Sequence, residues 1–136
     1  MNDLEDLELH IIEENGKYGY ADEAGNNVIP CIWTDASSFS EGLAYVADDQ
    51  DNYGYIDKTG NVVIPFIYLD AGFFEDGLAP VRSNKGYGYI DKNNNVVIPF
   101  NSNWYDAEEF EDGIAKVYDC NYNVSYIDKF GNVIKN

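Results

Sequence analysis

Apolar and polar positions alternate in short runs of period two, and the same turn residues interrupt those runs again and again. In Tyr53-Gly54-Tyr55-Ile56-Asp57 the two tyrosines share one face of an extended chain while Gly54 and Ile56 share the other, which predicts a strand, A. Asp57-Lys58-Thr59-Gly60-Asn61 then reads as a hairpin turn with a G1-type bulge. Its Asp can bond to the backbone two residues on and its Gly supplies a positive φ. Asn94 replaces that Gly in one copy, and Asn is the non-Gly residue best suited to the left-handed region. Val62-Val63-Ile64-Pro65 predicts a short strand B, closed by a proline with no N–H to continue a ladder. Asp70-Ala71-Gly72-Phe73-Phe74 predicts one capped helical turn, with Asp35, Asp70 and Asp106 as N-caps. Gly77-Leu78-Ala79-Pro80-Val81 then begins a strand C.

The whole pattern repeats. YGYADEAGNNVIP (18–30), YGYIDKTGNVVIP (53–65) and YGYIDKNNNVVIP (87–99) match without a gap, and VSYIDKFGNVIKN (124–136) is a degraded fourth copy. Each of the first three is followed by a second block: WTDASSFSEGLAYV (33–46), YLDAGFFEDGLAPV (68–81) or WYDAEEFEDGIAKV (104–117). The expected fold is therefore all-β. Four units of about 34 residues, each a three-stranded antiparallel unit, fill a single domain over 1–136, with strand A starting near 18, 53, 87 and 124. Residues 7–12, LELHII, stand where a strand C precedes the first strand A, and the sequence stops after a strand B. This predicts closure by pairing of the N- and C-terminal strands, with strand 7–12 completing the last unit, which also removes exposed edges. The alternative is an open twisted β array.

On these motifs the sequence resembles the WG-repeat family. That family's unit has a Trp-Gly dipeptide ahead of an aromatic, Ile and Asp, then a Gly turn, an apolar strand ending in Pro, and a Phe-x-acid-Gly-Leu-Ala-x-Val segment. The match runs from about residue 16 to 136, and the Trp of the dipeptide is here Tyr18, Tyr53 and Tyr87, with Val124 in the last copy. The resemblance implies a bacterial interaction module and brings no shared catalytic residues with it.

Composition agrees with strands: 12 Tyr and 7 Phe stand against one Met. Charge adds a functional constraint. Lys and Arg total 8 against 25 Asp and Glu, for a formal charge of −17, so a phosphate backbone is repelled and direct nucleic-acid binding is disfavoured. A basic protein is attracted by the same field, although solubility alone also accounts for such a charge. The N-terminal MNDLEDLELHIIEENG has neither a basic region nor an unbroken apolar core of a signal peptide, and no apolar run approaches the ~20 residues of a membrane span. No membrane association is expected, and a cytoplasmic location is. Cys31 takes a slot that other copies fill with Phe66 and Phe100 and is expected to be an apolar filler.

Candidate chemistry is sparse. His10 is the only histidine, and Gly-x-Ser-x-Gly, Cys-x-x-Cys and a phosphate loop leading into a helix are all missing. Glu75/Asp76 and Glu111/Asp112 could form a glycosidase pair, but Glu41 repeats the Asp76 position, and recurrence favours a structural task before the following Gly. Asp48, Asp49 and Asp51 cluster in one loop, yet an EF-hand register from Asp49 would place Tyr53 and Gly60 where oxygen ligands belong. No metal, cofactor or catalytic residue is therefore assigned, and the chain is expected not to be an enzyme.

The remaining candidates are partner-binding: Trp33, Tyr68 and Trp104, which share one repeat position, with Glu41, Glu75, Asp76, Glu111, Asp112, Asp48, Asp49 and Asp51 around them. Aromatic anchors ringed by acid suit a basic protein surface, since rings dominate binding hot spots and acids steer the encounter. The expected function is a non-enzymatic protein-binding repeat module. Its most specific form is an acidic cytoplasmic inhibitor of immunity type that neutralises a basic partner such as a toxin. Two alternatives remain: a binder of small ligands or carbohydrates that stacks rings on its aromatics, and a structural repeat domain.

Overall fold

The computed structural model describes residues 8–135, which form fifteen β-strands in four antiparallel sheets and, among the described residues, no helix. The first sheet contains β1 (His10–Glu14), β2 (Lys17–Ala21) and β3 (Asn27–Trp33). The second contains β4 (Asp35–Ala36), β5 (Ala44–Ala47), β6 (Tyr53–Ile56) and β7 (Val62–Tyr68). The third runs through β8 (Asp70–Ala71), β9 (Ala79–Ser83), β10 (Gly86–Ile90) and β11 (Val96–Asn101), and the fourth through β12 (Asp106–Ala107), β13 (Ala115–Tyr118), β14 (Val124–Ile127) and β15 (Val133–Lys135). Two compact units result, Met1–Ile67 and Tyr68–Asn136.

Every sheet is built from strands consecutive in the chain, in the order C, A, B, and this sets the phase of the repeat. The strand C expected ahead of the first strand A pairs locally, with that strand A. β1 joins β2 in register His10↔Ala21 to Glu14↔Lys17, while the last sheet already has its own four strands. A tight turn at Asn15-Gly16, both at positive φ (55° and 81°), makes the neighbouring strand the natural partner. Of the expected strand 7–12, His10–Ile12 therefore lie in the first sheet and not the last, and Leu7 lies outside the described residues.

The expected helical turn is also corrected. Asp35-Ala36, Asp70-Ala71 and Asp106-Ala107 are two-residue strands paired with β5, β9 and β13. A helix N-cap would need its side chain to accept from an N–H two or three residues on. Here those N–H groups go to the neighbouring strand: Ser37 N donates to Tyr45 O at 2.9 Å, Gly72 N to Pro80 O at 2.8 Å and Glu108 N to Lys116 O at 2.9 Å.

Strand A forms the middle of each core. In the first unit Tyr20, Ile29, Val46 and Ile56 are buried together, with Phe39 and Phe66 packed on them. In the second, Tyr89, Ile98, Phe110, Val117 and Ile127 form the equivalent cluster. The inner tyrosines pin one sheet to the next within a unit. The Tyr20 hydroxyl donates to Ser37 O at 2.6 Å and the Tyr89 hydroxyl to Glu108 O at 2.7 Å.

The glycine of each Tyr-Gly-Tyr has a separate task. Tyr18 faces Trp33 and Tyr20 faces Ile29, so two steps along β2 match four along β3, and the Pro30 segment bulges. A Cβ on Gly19 would lie 2.4 Å from Ile29 O, one on Gly54 2.5 Å from Ile64 O, and one on Gly88 2.7 Å from Ile98 O. In these three copies only a residue without a side chain lets the bulged strand come this close.

Candidate functional site

The acid-Gly pairs are hairpin tips. Isolated bridges join Ser40 to Leu43, Glu75 to Leu78 and Glu111 to Ile114, leaving two residues to turn the chain. Those two have φ of 52° and 86° (Glu41, Gly42), 54° and 80° (Asp76, Gly77), and 53° and 82° (Asp112, Gly113). Positive φ at both positions defines a type I′ turn, which matches the twist of the flanking strands. The recurring acid is thus a turn former, and its carboxylate is presented at the tip.

In the second unit two of these tips come together. Asp76 Oδ2 accepts from Gly113 N at 2.9 Å, and Glu109 Oε2 accepts from Phe73 N at 3.0 Å. Between them lies a groove of about 500 Å³ lined by Glu75, Asp76, Glu108, Glu109, Glu111 and Asp112 over the rings of Phe73 and Phe110. Four of the acids named from the sequence meet here, and no lysine or arginine lines the groove. Glu41 forms the equivalent tip in the first unit.

The Asp48, Asp49 and Asp51 loop is another turn. Asp48 Oδ1 accepts from Gln50 N at 2.9 Å and Asn52 N at 3.0 Å, Asp51 sits at φ 63°, and Asp49 pairs with Lys17. The bonding repeats that of Asp22, Asp57, Asp91 and Asp128 at the A–B turns, where Oδ1 accepts two backbone N–H groups. Among the described residues no group of three or more His, Cys, Asp or Glu side chains is arranged to hold a metal ion.

The aromatic anchors named from the sequence are packing residues. Trp33 is 8% exposed and stacks on Phe66 with centroids 5.4 Å apart; Tyr68 is 4% exposed. Trp104 is half-buried against the second core. Trp33 Nε1 is buried without a hydrogen-bond acceptor. Trp33 and Tyr68 thus fill a fold of short strands, while Trp104 keeps part of its ring at the surface. His10 is exposed on β1, Cys31 is a half-buried free thiol and Cys120 an exposed one.

Tyr105 and Tyr122 are exposed instead, while Tyr87 beside them is buried. In the second unit a groove of about 720 Å³ is walled by Tyr87, Tyr105, Tyr118 and Tyr122, with Asp70, Asp106, Glu108 and Asp119 among them and Arg82 as the one base. Tyr105 is 68% exposed and Tyr122 87%. The Tyr87 hydroxyl donates to Asp70 Oδ2 at 2.7 Å and that of Tyr118 to Glu108 Oε2 at 2.6 Å. The bond to Glu108 pushes the Tyr118 phenol up to about 12, so it is a neutral donor at physiological pH.

Tyr122 could have been singled out from the sequence. It stands in Asp119-Cys120-Asn121-Tyr122-Asn123, a turn with the same bonds as Asp57 to Asn61, at the place of Gly25, Asp51, Gly60, Asn94 and Gly131. Its φ of 64° disfavours a side chain by roughly 1–2 kcal/mol, and the exposed ring recovers little by burial.

The fold thus defines an all-β repeat protein built of small antiparallel sheets, each centred on an aromatic-rich strand. The WG containing repeat family matches residues 18–50, 53–86 and 87–119, well over half of the sequence, and the chain belongs to that family. No curated protein sequence matches it. Among solved structures, the computationally designed Ika8 protein superposes with a TM-score of 0.64 at 9% identity, over 99% of this chain and 46% of that one. The WD40 β propeller domain of Doa1 does so with a TM-score of 0.56 at 14% identity, over 93% of this chain and 50% of that one. The chain spans about half the length of these structures, and the likeness is one of fold. Among the described residues no helix is long and apolar enough to cross a membrane.

Proposed function

We propose that this chain is a non-enzymatic protein-binding repeat module that captures a basic partner, in its most specific form a cytoplasmic inhibitor of immunity type that neutralises a basic toxin. The observation that carries the reading is the groove between the two hairpin tips, which six carboxylates line. Carboxylates crowded over two phenylalanines raise the local field, and a formal charge of −17 extends it into solvent. Such a field speeds encounter with a basic surface and selects against acidic ones. Two free thiols accord with a reducing compartment.

The test is capture of partners from host lysate by the intact chain and by an E75Q/D76N/E111Q/D112N variant. The expected result is one basic protein, bound at about 0.05 M salt, released by about 0.5 M as screening shortens, and lost with the variant. A partner that is indifferent to both salt and variant would refute the electrostatic reading. For glycan binding the sequence points to the Trp33 set, and the burial of Trp33 and Tyr68 leaves that reading to the half-buried Trp104 and the exposed tyrosines.

A further inference from the structure

We infer that the tyrosine-walled groove of the second unit is a receptor for an arginine or lysine side chain of a basic protein partner. The inference rests on the basic-partner reading above and assigns it a second contact point with a different chemistry. The exposed Tyr105 and Tyr122, the half-buried Tyr118 and four carboxylates against one arginine form a surface that is both aromatic and net negative. A guanidinium or ammonium group is the ligand that uses both features at once. Its charge is attracted to the face of a ring within about 6 Å of the centroid, and its N–H groups are donors for carboxylate oxygens. The carboxylates are already oriented: Asp70 and Glu108 each hold a phenol, and Asp119 is fixed by Asn121 N and Asn123 N, both at 2.9 Å.

Tyr122 carries the argument beyond charge. The same turn is made elsewhere in the chain with Gly, Asn or Asp at this position, so the fold does not need a tyrosine there, and its left-handed backbone disfavours one. What the residue adds is a ring, 87% exposed, that lines the groove together with the likewise exposed Tyr105. Two exposed rings with little else to pack on suit the flanks of a flat guanidinium, which stacks on aromatics as well as pairing with carboxylates.

The experiment is an amide NMR titration of the full chain with a hexa-arginine peptide, and with maltohexaose as a neutral ring-stacking ligand. Tyr122→Gly and Tyr105→Ser are compared with the E75Q/D76N/E111Q/D112N variant. Tyr122→Gly installs the residue that equivalent turns already use, so its native spectrum is the control for folding. The expected result is that hexa-arginine shifts the amides of 105–106 and 118–123. Each tyrosine variant should weaken binding there about fivefold, and the four-acid variant should leave these shifts in place. Shifts confined to 75–76 and 111–112, indifferent to the tyrosine variants, would overturn the groove while leaving the basic-partner reading intact. Maltohexaose moving the groove amides while hexa-arginine does not would reassign the groove to glycans. Absence of any shift with hexa-arginine would overturn both readings.

Discussion

Adding a methyl group to Gly54 tests one of the close backbone approaches that recur with the repeat. Gly54 lies buried on β6 opposite Val46, and its new Cβ would sit 2.5 Å from Ile64 O and 3.0 Å from Pro65 C. Both obstacles are backbone atoms, so no rotamer change relieves them, and the bulged strand must move by several tenths of an ångström. Away from a clash, Gly→Ala in a strand stabilises by roughly 0.5–1 kcal/mol, so even the sign of the effect is informative. Overpacking of this kind costs about 1–3 kcal/mol, and a displaced β7 also weakens ladder bonds worth about 1 kcal/mol each. A net loss of about 3 kcal/mol is expected for Gly54→Ala. Ser125 occupies the same position in the fourth copy and already accommodates a Cβ, so Ser125→Ala is the control and should change stability by less than about 1 kcal/mol. Trp33 is buried in the first unit with Gly54, so urea unfolding followed by its fluorescence in a Trp104→Phe background reads the relevant core. A Gly54→Ala chain as stable as its parent would refute the steric explanation of the Tyr-Gly dipeptide.

The pinning hydroxyls and the turn aspartates yield two further expectations. Tyr89→Phe keeps the buried ring and removes the 2.7 Å bond to Glu108 O, which should lower stability by about 1 kcal/mol. Tyr20→Phe should do the same in the first unit, with additive effects in the double variant measured by denaturant titration. The carboxyls of Asp22, Asp91 and Asp128 are held below the ordinary range chiefly by backbone N–H bonds from Asn26, Asn95 and Asn132, and that of Asp119 chiefly by the Asn123 side chain. A folded pKa below the unfolded value gives stability that is present above about pH 4 and lost as pH falls through the folded value. Thermal melts from pH 7 to 2 should therefore show a steeper acid decline for the parent than for D22N/D91N/D119N/D128N. Parallel declines would show that these bonds do not favour the ionised form.

Much of the fold was legible because the repeat states each local rule several times. Asn94 in the place of Gly60 identified the left-handed turn position, and it does sit at φ 64°. The two misreadings share a cause. Asp70-Ala71 satisfies an N-cap and an edge strand equally well in one dimension, and the choice is made by Pro80 O, which takes the Gly72 N–H from across the sheet. Likewise, residues 7–12 read as strand C in either phase, and only the short turn at Asn15-Gly16 decides for the first sheet. The site divides along the same line. Acid-Gly tips could be named from sequence because turn chemistry is local, whereas their convergence in one groove depends on Asp76 reaching Gly113 across the second unit. For the aromatics the repeat itself misled. Trp33 and Tyr68 are buried and Trp104 is half-buried against the second core, so recurrence at this position marked packing. Tyr122 breaks the pattern of its own turn, at a cost in backbone conformation and with an exposed ring. In a repeat protein, where each copy solves the same packing problem, the residue that departs from its equivalents without a gain in burial points to a task outside the fold.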